Sequence, residues 1–448
     1  MFETIKNCFK VKEIRKKIWI TLLLLLIFRL GCYIPVPGIT VSTFKAEIES
    51  NSFLGILSSI TGGSLANATL FALGISPYIN ATIIIQLLTV GIPALERLSK
   101  QGEEGRKKIA QITRYVTIAL AVAQSIGIVV NFGVQSESLK TGLFVALGMS
   151  ETGALWLLGI FLTVVYTAGA MLVMWIGERI TEYGISNGIS LIIFIGIVST
   201  AGEQLVGKFT EAFTGHPSVL WEVLGFVILT VIEFMAICAV DLSERRIPVQ
   251  YAKQVKGRRM YGGQSSVIPM RISGSGVMPL IFAFAIISAP AMIASLISPN
   301  GVNTQRINEW FSGNGAWYGQ LIYTVVLCIL IFAFSFFYSS MQFNPDDVSK
   351  TIQQNGGFIQ GIRPGKPTAD YLKKINNRIT LFGAIYLTIV ALVPSILAVI
   401  LTAAGLPTDL ISVFSTTGIL IVVSCALELD KQLQSQLMMK NYKKGFLK

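Results

Sequence analysis

Histidine is almost absent from this 448-residue chain: His216 is the only one, and it sits in a short polar segment. A metal centre or a histidine-based acid–base catalyst therefore has almost nothing to be built from, and no serine–histidine–acid set can form around it. Cysteine is sparse as well. Cys8, Cys32, Cys238, Cys328 and Cys425 stand far apart, without the short spacings of a zinc clamp or a disulfide framework, and read as small apolar residues. A phosphate-binding loop is also missing. The string GIRPGKPT at 361–368 has Gln360 where the first glycine belongs and Pro367 where a magnesium-binding hydroxyl belongs. These gaps exclude most enzyme classes. The expectation is a chain with no catalytic residue, no metal and no cofactor, drawing any energy from elsewhere.

Charge is the next scarcity. Charged residues make up 13% of the chain and apolar residues 52%, against about 25% charged in soluble domains. Apolar runs of bilayer-crossing length, about 20 residues, recur ten times, over 18–35, 69–92, 113–133, 154–176, 186–203, 218–240, 275–298, 317–340, 379–404 and 408–428. The first run ends in Leu30-Gly31-Cys32, superficially a lipoprotein cleavage box, but Arg29 stands where such a box needs an aliphatic residue. With nine further runs behind it, the first is read as a retained span.

The basic residues that are present fall on one side. Of 36 lysines and arginines, 31 lie in the amino-terminal arm through Lys17, around the segments after runs two, four, six and eight, and in the tail; the alternate segments hold four, and Arg29 is the last. Cytoplasmic loops retain Lys and Arg, so both chain ends are expected to be cytoplasmic. The net charge of +12 is thereby assigned mainly to topology rather than to nucleic-acid binding. Two cytoplasmic segments, 241–274 and 341–378, are longer than a helix connection needs and are candidate docking surfaces. Inside or near the spans, Arg29, Glu222 and Glu233 are expected to snorkel or pair locally.

Ten spans divide into two sets of five, and an odd number per set inverts one half relative to the other. An internal repeat supports this: Gly74-Ile75-Ser76-Pro77-Tyr78-Ile79-Asn80-Ala81 opens run two, and Gly276-Val277-Met278-Pro279-Leu280-Ile281-Phe282-Ala283 opens run seven. Irregular backbone must face protein or water rather than lipid, so both helices are expected to line an interior. A simple proline kink is the plainer reading. Before run two, SFLGILSSITGGSLANA at 52–68 is apolar, rich in Gly and Ser, and too short to span. It suits either a half-inserted segment or a helix lying at the interface. Ile75 and Ile79, and likewise Ile189 and Ile193, are four residues apart and share a helix face. Rings of branched apolar side chains close pores by dewetting. Gly184 and Gly188 form a G-x-x-x-G, a spacing that brings helices close.

Several long runs together resemble the SecY family: FRLGCYIPVPGI at 28–39, ALGISPYINATIIIQLL at 72–88, GEEGRKKIAQITRY at 102–115, YGISNGIS at 183–190, RRIPVQYAKQVKGRRMYGGQSSVIPMR at 245–271, FNPDDVSKTIQQNGGFIQGIRPG at 343–365 and the tail MKNYKKGFLK. The resemblance implies an all-α integral membrane fold of ten transmembrane helices, in two inverted five-helix halves around an hourglass pore, with a half-inserted plug helix. It implies a protein-conducting channel of the Sec translocon in the bacterial plasma membrane, which passes unfolded preproteins and releases apolar segments sideways into the bilayer. The divisions would be an arm at 1–17, halves at 18–203 and 204–428, and a tail at 429–448. The pore ring would be Ile75, Ile79, Ile189, Ile193, Ile281 and Ile421. The plug would lie near 52–68, with Ser52, Leu54, Ile56, Leu57, Ile60, Gly62 and Gly63. Pro77, Asn80 and Gln124 on one side, and Pro279 and Phe282 on the other, would form a lateral gate. Arg258 and Arg259 would meet the ribosome and Arg363 the ATPase SecA, with SecE and SecG as membrane subunits. Gln360 departs from the proline expected before Gly361 and is expected to loosen that loop tip. A secondary transporter and a membrane scaffold without transport are the competing classes.

Overall fold

The computed structural model describes residues 2–37, 61–130, 151–214, 218–251, 254–256, 259–261, 265–272, 276–297, 317–403 and 416–446, with a few isolated positions between them. In chain order the helices are α1 (Phe2–Lys10), α2 (Lys12–Gly31), α3 (Ser76–Gly91), α4 (Pro93–Ser99), α5 (Glu103–Ile128), α6 (Glu151–Tyr183), α7 (Gly188–Thr214) and α8 (Ser218–Asp241). They continue as α9 (Met278–Ile297), α10 (Trp317–Gln342), α11 (Pro345–Gln354), α12 (Lys366–Ala403) and α13 (Thr416–Phe446). Each of the ten apolar runs is occupied by one long helix: α2, α3, α5 to α10, α12 and α13. Among the described residues, five helices are long and apolar enough to cross a membrane, and six if α3 and α4, bent by 105° at Ile92, count as one span. Pro93 opens α4 and supplies that break.

Several helices outrun the apolar segments that announce them. α5 starts ten residues before its predicted span, α6 continues to Tyr183 and α12 starts at Lys366. These extensions carry Lys107, Lys108, Arg179, Lys373 and Lys374, so they are the water-exposed ends of helices whose centres are greasy. Run two differs the other way. It is helical only from Ser76, and residues 61–75 form successive turns.

The chain divides into two compact units, one of residues 1–220, 288–323 and 425–448, the other of 221–287 and 324–424. In the first, α3 packs on α5, α5 on α6, α6 on α7, and α2 on both α6 and α7. Its core gathers Leu65, Leu73, Ala121, Ile128, Leu158, Leu162 and Tyr166. Glycines set the spacing. A Cβ on Gly169 of α6 would stand 1.9 Å from the Leu70 carbonyl oxygen, and one on Gly188 would stand 2.0 Å from that of Gly177. In lipid, where hydrophobic drive between helices is missing, such small residues permit the close approach that holds helices together. The G-x-x-x-G at 184–188 is of this kind, since a Cβ on Gly184 would meet Thr21 Oγ1 at 2.6 Å.

Helix α1 is amphipathic and lies on α2, with Cys8 and Ile14 buried beside Ile185 and Leu433. Burial, then the charge of Asp430, pushes the Cys8 thiol up from its ordinary value. The neutral thiol is therefore the form that packs, and all five cysteines are free.

Clearance at Gly169 gives a direct test. Gly169→Ala should lower the unfolding temperature in detergent by several degrees, because overpacking costs about 1–3 kcal/mol. Gly207→Ala in α7, where nothing lies within 4 Å, should be neutral or slightly stabilising. Equal effects at the two sites would contradict the packing account.

Candidate functional site: a repeated helix start, a turn-rich segment and a loop module

Both arms of the internal repeat carry the same backbone device. Gly74 has φ +53° and Gly276 has φ +60°; each stands two residues before a helix start, at Ser76 and Met278. A positive φ ends any helix arriving from upstream and favours glycine. Pro77 and Pro279 then occupy the second helical position, where the missing N–H costs nothing because the first turn has no intrahelical acceptor for it. The first-turn bonds match too: Ile79 N–H donates to the Ile75 carbonyl and Ile281 N–H to that of Val277. The sequence match, four identities in eight positions, is thus a match of conformation, and a proline kink at Pro77 or Pro279 inside a continuous helix is not what the structure contains.

The turns before α3 are closed locally. Gly63 N–H donates to Ser58 O at 2.8 Å, Thr61 Oγ1 to Ser58 O at 3.0 Å, and Ser64 Oγ to Thr61 O at 2.8 Å. The strand-like stretch after α2 takes two more groups, as Val36 N–H donates to Ala68 O and Leu70 N–H to Ile34 O. The Gly and Ser content of this segment now has a cause. Gly62 and Gly63 have φ near +72° and +79°, and the hydroxyls replace the bonds a helix would have made. Of the plug positions expected from sequence, Gly62 and Gly63 lie in these turns, so no helix forms there; Ser52, Leu54, Ile56, Leu57 and Ile60 lie outside the described residues.

Four ring positions, Ile75, Ile79, Ile189 and Ile193, belong to the first unit, and Ile281 and Ile421 to the second. Within the first unit, Ile75 Cδ1 and Ile189 Cγ1 each lie 3.7 Å from the point where a Cβ on Gly177 would be, with Ile192 Cδ1 at 3.4 Å. α3, α6 and α7 therefore bring isoleucines to one place, over a glycine that leaves room for them. Ile75 and Ile193 are buried, while Ile79 and Ile189 are half-buried. In the second unit Ile421 is buried and Ile281 half-buried. Of the gate positions, Pro77 and Gln124 are buried and Asn80 half-buried in the first unit. Pro279 and Phe282 are buried in the second, where the Phe282 ring meets Tyr338 and Phe334 edge-on at centroid distances of 4.9 and 5.9 Å.

The two long loops form one body, which the all-helical expectation did not include. Strand β1 (Glu244–Tyr251) pairs antiparallel with β4 (Ser265–Arg271) from Glu244↔Arg271 to Gln250↔Ser265. It also pairs with β5 (Gly357–Phe358), from the other loop, through Gln250↔Phe358 and Tyr251↔Gly357. Pro248 is tolerated in β1 because β5 covers only the last two residues, leaving that edge open at the proline. Period-two alternation turns Ile247 and Val249 inward. They join Met270, Ile352 of α11, Ile359, and Leu372 and Ile375 of α12 in one buried cluster. Between β1 and β4, β2 (Gln254–Lys256) and β3 (Arg259–Tyr261) form a second, two-stranded hairpin. Arg259 opens β3, and Arg258 lies outside the described residues. Arg363 is exposed in the turn after β5, where its carbonyl accepts from Thr368 Oγ1 at 2.8 Å. At the tip beside Gln360, Ile362 N–H bonds Ile359 O at 3.0 Å, across Gly361 at φ +80°.

Arg29 was expected to snorkel or pair locally; it does meet Tyr33, four residues on, at 2.7 Å, but its charge is matched from far along the chain. Its partner is Glu203 on α7, at 2.6 Å. A charge inside an apolar run is the signal that could have prompted a search for an acid at the matching end of another span.

A membrane chain with two helices that start alike after a left-handed glycine, a turn-rich segment before one of them and a folded module built from two long loops has the fold of a protein-conducting channel. The solved structure of a protein-conducting channel matches at a TM-score of 0.66 and 19% identity, covering 94% of this chain and 92% of that one. Sec61 from a canine ribosome–channel complex of the endoplasmic reticulum matches at 0.62 and 18% identity, with 94% and 92% covered. The sequence model of the SecY family matches residues 69–429. Protein translocase subunits SecY of Streptomyces coelicolor and of Thermus thermophilus are 39% and 40% identical over 100% of this chain, and over 100% and 98% of their own lengths. The chain belongs to the SecY family. Its role is that of a multi-pass channel subunit in a protein translocase, and it is not an enzyme.

The module's shared core makes its two loops interdependent. Leu372→Ala, at a fully buried position, should cost about 2–5 kcal/mol and make both loops sensitive to limited proteolysis together. Cleavage confined to 341–378 would show that they fold separately.

Proposed function

We propose that this chain conducts unfolded preproteins across the bacterial plasma membrane and lets apolar segments leave sideways into lipid. Both chain ends face the cytoplasm in this reading, which the one-sided distribution of Lys and Arg supports. The observation that carries the reading is the repeated break at Gly74 and Gly276. Irregular backbone at the start of two membrane helices belongs beside protein or water, and here the glycine is followed in each arm by an isoleucine five residues on, Ile79 and Ile281.

The ring is Ile75, Ile79, Ile189, Ile193, Ile281 and Ile421. The gathering of Ile75 and Ile189 over Gly177 supports its first-unit half. Branched apolar side chains exclude water from a narrow opening yet yield to an extended polypeptide. Residues 52–68 act as the plug, and Pro77, Asn80, Gln124, Pro279 and Phe282 border the lateral exit. Route selection is by partition: a stretch of about 20 apolar residues prefers hydrocarbon, and a polar stretch does not. The cytoplasmic module presents Arg258, Arg259 and Arg363 to partners that push the substrate, the ATPase SecA and the translating ribosome. Guanidinium groups suit both, because they bind carboxylate and phosphate in bidentate fashion. SecE and SecG complete the complex in the membrane.

Two experiments test this. In reconstituted vesicles, Ile79→Ser combined with Ile281→Ser should raise resting ion conductance well above that of the unsubstituted channel; background conductance would remove the ring. Arg363→Glu should abolish ATPase-driven translocation while leaving membrane insertion and topology unchanged, and full activity in that variant would remove the docking role.

A further inference from the structure

Arg29 joins three separate parts of the first unit. It stands in the last turn of α2, where the helix carbonyl end favours a cation. Nη1 donates to the Gly62 carbonyl at 2.9 Å. Nη2 donates to Glu203 Oε1 on α7 at 2.6 Å and to the Tyr33 hydroxyl at 2.7 Å. Tyr33 in turn donates to the same carboxylate oxygen, and the guanidinium lies 4.6 Å from the centre of the Tyr33 ring. The Arg29 side chain is 17% exposed.

Gly62 is held from two sides. A Cβ there would stand 3.0 Å from Arg29 Nη1 and 3.1 Å from Gly196 Cα on α7, and its φ of +72° excludes most other residues. Gly196 lies three residues beyond Ile193, about one helical turn from the proposed ring. The turn-rich segment is thus tied at one point to Arg29 of α2, close beside α7, by a charge-assisted hydrogen bond, a stronger kind than its own hydroxyl and backbone bonds.

We propose that Arg29 is a latch that keeps the plug segment in its resting place, with Glu203 and Tyr33 orienting the guanidinium; this rests on the reading of residues 52–68 as the plug. The arrangement suits release as well as closure. When Gly62 departs, Arg29 keeps Glu203 and Tyr33, so no charge is stranded in a low-dielectric site. Opening therefore breaks one charge-assisted hydrogen bond, and closing re-forms it on a donor already in position.

The test uses the full chain, reconstituted into vesicles with the subunits that purify with it, and reads resting ion conductance and unfolding temperature. Three variants are compared: removal of residues 52–68, the double substitution Arg29→Leu/Glu203→Leu, which leaves neither charge unpaired, and Glu203→Gln, which keeps size and hydrogen bonding. The latch predicts leak in all three. In the double variant resting open probability should rise about tenfold, the factor expected for a lost hydrogen bond to a charged group, with a smaller rise in Glu203→Gln and unfolding temperatures close to the unsubstituted protein's. Leak on removal of 52–68 but background conductance in both substituted proteins would overturn the latch and leave the plug standing. Background conductance in all three would remove the plug reading and the latch with it. A drop in unfolding temperature without leak would make the network merely structural.

Discussion

Hydrocarbon offers no hydrogen-bond partners, so every backbone N–H and C=O at membrane depth must find one inside the protein. This requirement governs the unusual parts of the chain. Residues 61–75 are not helical, yet their groups are taken up by Ser58, by Ser and Thr hydroxyls within the segment, and by Ile34 and Val36 after α2. The closeness this demands is provided by glycines. Gly31 leaves room for the Phe71 ring, Gly169 for the Leu70 carbonyl and Gly74 for Thr61. A segment satisfied by itself and by small-residue contacts can be held firmly without being part of a helix, which is the property a movable obstruction needs.

How much of this the sequence reveals depends on the range of the interactions. The ten spans are legible because each is a local excess of apolar residues, and every one is occupied by a long helix. The repeat at Gly74 and Gly276 is legible because glycine and proline encode backbone geometry directly. The helix ends are less so, since hydropathy marks where lipid begins and not where the helix stops; α12, for instance, starts at Lys366, 13 residues before its apolar run. The sheet was missed because β5 is two residues long, and its pairing with Tyr251 and Gln250 joins loops about a hundred residues apart. The partner of Arg29 was missed for the same reason, as Glu203 is 174 residues away.

The site was read from the residues only in part. Isoleucine pairs four apart are common in membrane helices, and nothing in their spacing says that Ile75 and Ile189 come to the same glycine. Gly177 is the residue that makes this visible, and it belongs to no motif. Resemblance to a family supplied the ring as a set. Physical reasoning supplies why branched apolar side chains suit such a ring, and why a glycine lies beneath Ile75 and Ile189.

Functionally, the chain separates tasks that an enzyme would combine. In the proposed function, selection is left to partition between water and lipid, closure to apolar side chains and a turn-rich segment, and force to partners that meet the loop module. The central claim of the proposed function is that a translocating polypeptide passes Ile79 and Ile281. It is tested most directly by placing a photoreactive residue at Ile79 or Ile281, stalling a secretory chain midway, and irradiating. Crosslinks from both positions to the polar part of the stalled chain, with none from exposed Trp156 on α6, are predicted. Silence at Ile79 and Ile281, or equal crosslinking from Trp156, would contradict the account.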